Sequence, residues 1–188
     1  IYHDGGGPVS VTAARDFLAS GVVAGIKSSG RRDLALVRNI GPRRVAAGVF
    51  TSNRFKAAPV IWSIDALAGG ELDAVVLNSG GANACTGAEG LADARETAAA
   101  TASILGTEPS RVAVWSTGLI GVRLPMDAVL AGVQTAASAL AVDGGADAAE
   151  AIMTTDTVNK QAATTSEAGW TVGGMAKGAG MLAPALAT

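Results

Sequence analysis

Short runs of Val, Ile and Leu alternate along this chain with longer stretches in which alanine and other apolar residues recur at helical spacing. Val22-Val23-Ala24-Gly25-Ile26 and Leu34-Ala35-Leu36-Val37 read as two strands, parted by the turn signal Ser28-Ser29-Gly30. Residues 44–51 form a third strand candidate. Pro59 opens an apolar stretch to Leu67 that predicts a helix, because proline is tolerated in a helix's first turn. Residues 73–77 predict a short buried strand that runs into a loop over 78–87. The apolar and alanine positions of 90–105 suit a helix stopped by Gly106. Val112-Ala113-Val114-Trp115 predicts another strand, and Pro125-Met126-Asp127 opens a helix to about Leu140. After the loop Asp143-Gly144-Gly145 comes a further helix over 146–153. Gly169-Trp170-Thr171-Val172 reads as a strand feeding a glycine-rich segment.

This alternation allows either a doubly wound parallel sheet or layered sheets sandwiched by helices, and periodicity does not decide between them. No repeat and no low-complexity linker interrupts the pattern. The 188 residues therefore read as a single domain, 1–188, with 1–20 expected to be a loosely ordered N-terminus. Hydrophobic residues make up 49% of the chain and aromatic residues 4%, which suits close packing of small side chains rather than disorder. The net charge of −2 comes without any basic run, which argues against nucleic acid or an anionic membrane as partner. No uninterrupted apolar run reaches the roughly 18 residues of a membrane span. The only cysteine, Cys85, excludes an internal disulfide and suits a reducing cytoplasm; it reads as a small packed residue after a Gly-rich turn.

Chemistry is narrowed by what the sequence lacks. The only histidine is His3, at the N-terminus, so no Ser-His-Asp triad can be assembled within the chain, and clusters of His and Cys that would hold a metal are missing. A nucleophile that needs no histidine is left. The chain closes on Ala187-Thr188. A threonine hydroxyl can attack the preceding carbonyl, shift the acyl group from nitrogen to oxygen and leave an ester for water to hydrolyse. The freed threonine then has an α-amine that can serve as base for its own hydroxyl. Ser116-Thr117-Gly118 directly follows a strand, where a tight turn can present a hydroxyl and a backbone N–H on one side; the same residues also make an ordinary turn or cap. Lys177 lies between Gly174 and Gly178, where backbone and ligand can approach closely, or where a lysine can simply be solvated. Thr154-Thr155-Asp156 follows a predicted helix and reads on its own as a polar helix end. Asn78-Ser79-Gly80-Gly81-Ala82-Asn83 lacks the spacing of a phosphate loop and reads as a structural loop near the site.

The chain resembles the ornithine acetyltransferase family. The resemblance rests first on Gly173-Gly174-Met175-Ala176 leading through Lys177-Gly178-Ala179-Gly180-Met181-Leu182-Ala183-Pro184-Ala185-Leu186-Ala187 to Thr188. Further matches follow in order: Ala24-Gly25-Ile26-Lys27, Asp33-Leu34-Ala35-Leu36-Val37, Val49-Phe50-Thr51-Ser52-Asn53 and Ala57-Ala58-Pro59-Val60. Later come Leu77-Asn78-Ser79-Gly80-Gly81-Ala82-Asn83-Ala84, Ser116-Thr117-Gly118-Leu119-Ile120-Gly121, Leu124-Pro125-Met126 and Ile152-Met153-Thr154-Thr155-Asp156-Thr157. The similarity runs over roughly residues 21–188.

In that family a precursor cuts itself before a threonine into α and β chains, so the resemblance implies that this is the α chain of an α/β heterodimeric enzyme, about half of the full protein. It implies an α/β fold in a layered αββα arrangement like that of N-terminal-nucleophile hydrolases. Cleavage falls between Ala187 and Thr188, and Thr188 becomes the nucleophile as first residue of the partner chain. Thr117 and Gly118 form the oxyanion hole, while Thr154, Lys177 and Thr188 contact substrate. The implied reaction is ping-pong transfer of an acetyl group from N2-acetyl-ornithine to glutamate in arginine biosynthesis, with no metal or organic cofactor. The implied partner is the β chain of the same precursor, in a dimer of α/β pairs. Two rival expectations stay open. The same threonine could serve an amidase or aminopeptidase, with acetyl-CoA a further donor in some relatives, or the chain could be a non-catalytic small-ligand-binding subunit.

Overall fold

The computed structural model describes residues 9–179. Its centre is a four-stranded sheet of β1 (Phe17–Val22), β2 (Leu34–Asn39), β3 (Ala74–Gly81) and β4 (Val112–Leu119), in that spatial order. β1, β2 and β3 pair antiparallel, whereas β3 and β4 run parallel. A parallel pair needs a long crossover. It is supplied by α2 (Gly87–Leu105), followed by a single 3₁₀ turn, Pro109–Arg111. The remaining helices are α1 (Ala58–Leu67), α3 (Met126–Ser138) and α4 (Gly145–Ala151), and a separate hairpin joins β5 (Lys160–Thr165) to β6 (Thr171–Ala176).

Strand alternation divides the sheet into two apolar faces. Leu34, Leu36, Ala74, Val76, Val112 and Val114 point to one side, against Ala98, Ala102 and Leu105 of α2 and Val129, Val133 and Ala136 of α3. Burying a valine or leucine fully is worth about 1.5–3 kcal/mol, so this face carries most of the core. On the other side Ala35 and Val37 meet Ala148 and Ala151 of α4, with Met175 of β6 packed on the same cluster. The α/β class and the layered arrangement both hold: helices, sheet, then α4 and a second small sheet. The mixed strand directions exclude the doubly wound parallel alternative.

Small residues set the approach distances. A Cβ on Gly21 would strike the backbone of Asp147, so α4 lies directly on β1 only because that position has no side chain. At the β4 edge, α1 takes the place of a fifth strand. The Ser63 hydroxyl donates to the Val114 carbonyl at 2.8 Å and accepts from the Val114 N–H at 3.0 Å, and Trp62 Nε1 donates to the Val112 carbonyl at 2.9 Å.

Four expectations from the pattern need correction. The first strand is Phe17–Val22, not 22–26, because the chain after Val22 wraps around the buried Asp33 carboxylate. That carboxylate takes the N–H groups of Ala24, Ile26 and Lys27 at 2.6, 2.7 and 2.8 Å, which removes them from any strand ladder. Residues 44–51 form no strand, and Val45 makes only an isolated bridge to Glu71. The loop expected from Asn78 instead begins after Gly81, since β3 continues alongside β4. The N-terminus is packed from residue 9 onward as far as it is described, with Ser10 and Thr12 buried. Sequence reading also missed β5, whose Lys-Gln-Ala-Ala-Thr-Thr run has no large apolar residue.

Candidate active site

The parallel pair β3–β4 brings two polar strand ends together. Ser79 lies opposite Thr117 and Gly80 opposite Gly118, with a register irregularity at Gly81. Gly118 has φ 136°, and a Cβ built there would run into the Gly80 backbone, with the Gly80 oxygen at 2.7 Å. Only glycine meets both conditions, the left-handed backbone and the missing space. Thr117 and Gly118 thus lie side by side near the end of β4.

Thr117 alternates with Ala113 and Trp115 and so faces the second layer, away from α2 and α3. On that side the segment after β6 crosses the strand end. Lys177 Nζ donates to Thr117 Oγ1 at 2.8 Å. Because the hydroxyl oxygen accepts from an ammonium, its own proton is left to point elsewhere and is a stronger donor for it. Burial pushes the Lys177 ammonium below the usual lysine range; Asp156 opposes that shift and Lys160 adds to it.

The third candidate, Thr154, follows α4 and is half-buried. Its N–H donates to Asp156 Oδ2 at 3.2 Å, and Asp156 Oδ1 accepts the Gly178 N–H at 2.7 Å and Lys160 Nζ at 2.5 Å. The Lys160 hydrogen bond, with those of Gly178 and Thr154 behind it, holds the Asp156 carboxyl well below the usual carboxylate range against the opposing effect of burial. Thr154 and Gly178, the residue after Lys177, thus share one carboxylate, and Lys177 is linked directly to Thr117. Ala187 and Thr188 lie outside the described residues, as does His3.

The Asn78–Asn83 segment, the end of β3 and the start of the following loop, is held by its own hydrogen bonds. Asn78 Nδ2 donates to the Gly81 carbonyl at 2.9 Å, the Ser79 hydroxyl to the Ala151 carbonyl at 2.5 Å and Asn83 Nδ2 to the Gly90 carbonyl at 2.8 Å. Cys85, read as packed, is exposed in a left-handed turn with φ 57°. Sequence reasoning missed the two charged residues that brace Thr154. One is Asp156, which the sequence offers only as part of a polar helix end. The other is Lys27, which donates to the Met153 carbonyl at 2.7 Å and carries no local signal. Above the sheet's second face a cavity of about 290 Å³ is lined by Phe17, Val37, Val75 and Trp115, and Trp115 keeps 41% of its surface exposed. No described helix is long and apolar enough to cross a membrane.

Residues 18–188 match the ArgJ family. The arginine biosynthesis bifunctional protein ArgJ of Streptomyces coelicolor is 65% identical over 180 residues, which cover 96% of this chain and 47% of that protein. Its counterpart in Thermobifida fusca is 61% identical with the same coverage. The chain therefore spans about half the length of these curated relatives. Among solved structures, ornithine acetyltransferase from Mycobacterium tuberculosis in complex with ornithine gives a TM-score of 0.92 at 58% identity, covering 95% of this chain and 96% of that one. ArgJ from Bacillus halodurans gives 0.85 at 40% identity, covering 93% of each chain.

Proposed function

The chain belongs to the ArgJ family, and from that premise we propose that it is the α half of a self-cleaving acyltransferase of arginine biosynthesis. Thr188 Oγ attacks the Ala187 carbonyl carbon. The acyl group moves from nitrogen to oxygen, and water hydrolyses the ester, leaving an Ala187 carboxylate and a Thr188 with a free α-amine. In turnover that amine takes the proton of the Thr188 hydroxyl as its oxygen attacks the acetyl carbon of N2-acetyl-ornithine. The Thr117 hydroxyl and the Gly118 N–H receive the negative charge that develops on the acetyl oxygen. The C–N bond breaks as the amine returns its proton to the leaving nitrogen, and ornithine departs. Glutamate's amine then attacks the threonine ester, the acetyl group leaves on glutamate, and the hydroxyl is restored.

The observation that carries this reading is the contact between Lys177 and Thr117 beside Gly118 near the end of β4. It polarises the Thr117 hydroxyl one residue before Gly118, which supports a hole for a developing oxyanion there. Lys177 keeps two further N–H donors, one of which can reach the α-carboxylate that acetylornithine and glutamate share. Thr154 supplies a substrate hydrogen bond from its hydroxyl. The partner is the β chain cut from the same precursor, packed on the second face of the sheet around Trp115, and two such pairs form the assembly. Support for a missing half comes from the 47% coverage of the relatives and from the apolar cavity on that face.

Intact mass of the full-length precursor, before and after brief exposure to N2-acetyl-ornithine, tests the reading. Two fragments are expected, the second opening on threonine and gaining one acetyl group. A single folded chain that is never cut and never acetylated refutes it, and would leave a non-catalytic ligand-binding subunit.

A further inference from the structure

We propose that Asp156 is a positioning residue, which ties Thr154 and Lys177 to a single carboxylate and thereby sets the spacing between substrate contact and oxyanion-hole hydroxyl. The inference rests on the acetyl-transfer reading above and adds a residue to it. Its starting point is an accounting question: why a carboxylate with a fully buried side chain stands here at all. A buried charge is tolerated only when paired and fully hydrogen-bonded. Lys160 supplies the pairing at 2.5 Å. Two of the three donors, however, are backbone amides from segments far apart in sequence, Thr154 N–H on Oδ2 and Gly178 N–H on Oδ1.

Each of those amides belongs to a peptide unit that flanks a site residue. The Thr154 N–H is one end of the Met153–Thr154 peptide, and the other end, the Met153 carbonyl, is held by Lys27 Nζ at 2.7 Å. A peptide plane is rigid. With its N–H on a carboxylate and its C=O on an ammonium it cannot rotate, so the direction in which Thr154 leaves the backbone is set. Lys27 is itself anchored, since it also donates to the Arg32 carbonyl at 3.0 Å. The Gly178 N–H belongs to the Lys177–Gly178 peptide. Gly178 has φ 136°, a backbone state that a glycine adopts freely and that needs an outside contact to be selected. Asp156 provides that contact one bond away from Lys177, whose ammonium reaches Thr117. A carboxylate that served stability alone would have no need to sit between these two peptides.

The test uses the full-length protein after processing and the variant Asp156→Asn. Asparagine keeps the shape but turns an N–H toward one of the donors, so one tie is lost. kcat/KM for N2-acetyl-ornithine is expected to fall roughly 30- to 100-fold, the scale of a small misplacement of catalytic groups. Hydrogen–deuterium exchange is expected to rise in peptides covering both 153–160 and 174–179. Asp93→Asn is the control for a merely structural role, because Asp93 on α2 is another buried carboxylate, held by Arg123 Nη2 and Nε at 2.6 and 3.0 Å. That variant should lose stability and leave kcat/KM unchanged. Lys160→Arg should stay near the parent, while Lys160→Met should move in the direction of Asp156→Asn and decides the matter if Asp156→Asn does not fold.

A kcat/KM that is unchanged in both Asp156→Asn and Lys160→Met overturns the proposal, as does extra exchange spread as evenly as in Asp93→Asn. A parent enzyme that transfers no acetyl group sinks the acetyl-transfer reading instead. The exchange experiment then still decides whether Asp156 ties the two segments.

Discussion

Replacing Thr117 by alanine removes one hydroxyl from the end of β4 and little else. The backbone of Gly118 stays, since its φ of 136° and its close approach to the Gly80 backbone do not depend on the threonine side chain. What disappears is a hydroxyl whose oxygen is bound by Lys177 at 2.8 Å and whose proton, in the proposed mechanism, serves the acetyl oxygen. Loss of one oxyanion-hole donor costs about 2.7–4 kcal/mol at the transition state, or roughly 100- to 1,000-fold in kcat. KM should change little, because the interaction is made mainly in the transition state. The lysine left without its acceptor is half-buried and can reach water, so the stability loss should fall at the low end of about 1–3 kcal/mol. Steady-state kinetics with N2-acetyl-ornithine and glutamate, beside urea denaturation, separates the two effects. Thr117→Ser returns the hydroxyl and should recover most of the rate. A Thr117→Ala enzyme within threefold of the parent kcat would refute the oxyanion assignment and the role given to the Lys177 contact.

The Lys177 ammonium titrates below the ordinary lysine value of 10.5 because burial disfavours its charge. It is therefore present below that lowered pKa and lost as pH rises through it, so the alkaline limb of kcat should set in earlier than a solvated lysine would allow. Lys177→Arg, which stays charged, should move that limb upward in a pH–rate profile, and an unmoved limb would exclude Lys177 as its source. The same shift has a stability counterpart: the unfolded chain binds the extra proton between the two pKa values, so stability gains with pH there. Gly118→Ala adds a backbone strain of about 1–3 kcal/mol and a clash with Gly80, and should abolish turnover and lower Tm. Full activity in that variant would mean that the turn is not fixed as described. Ser63→Ala strips β4 of both partners at Val114 in a fully buried site. It should cost about 1–3 kcal/mol in urea denaturation with kcat unaffected, and an unshifted midpoint would show that α1 does not complete the sheet edge.

The sequence by itself determined the elements whose signals are local. Pro59 in a first turn and Gly106 as a left-handed cap, φ 70°, bracket α1 and α2 close to where the pattern puts them, because capping depends only on residues a few positions apart. The strands β2 and β4 and the helices α3 and α4 were legible from their local apolar spacing, whereas Thr117, Thr154 and Lys177 stood out only through the family resemblance. Tertiary structure alone decided the rest. Asp33 ended β1 four residues before the apolar run stops, by taking amides that the pattern assigned to a strand. β5 carries almost no apolar signal and exists through its pairing with β6. Residues 44–51 have strand-like composition but pair only through the single Val45–Glu71 bridge. The site itself is the clearest case. Lys177 and Thr117 are 60 residues apart in sequence and Gly178 and Asp156 are 22 apart, and each pair meets through a hydrogen bond that leaves no periodicity behind. Hydrophobic pattern records which face of an element is buried, whereas which polar groups meet across those faces is set by register and crossover, and these exist only once the sheet has formed.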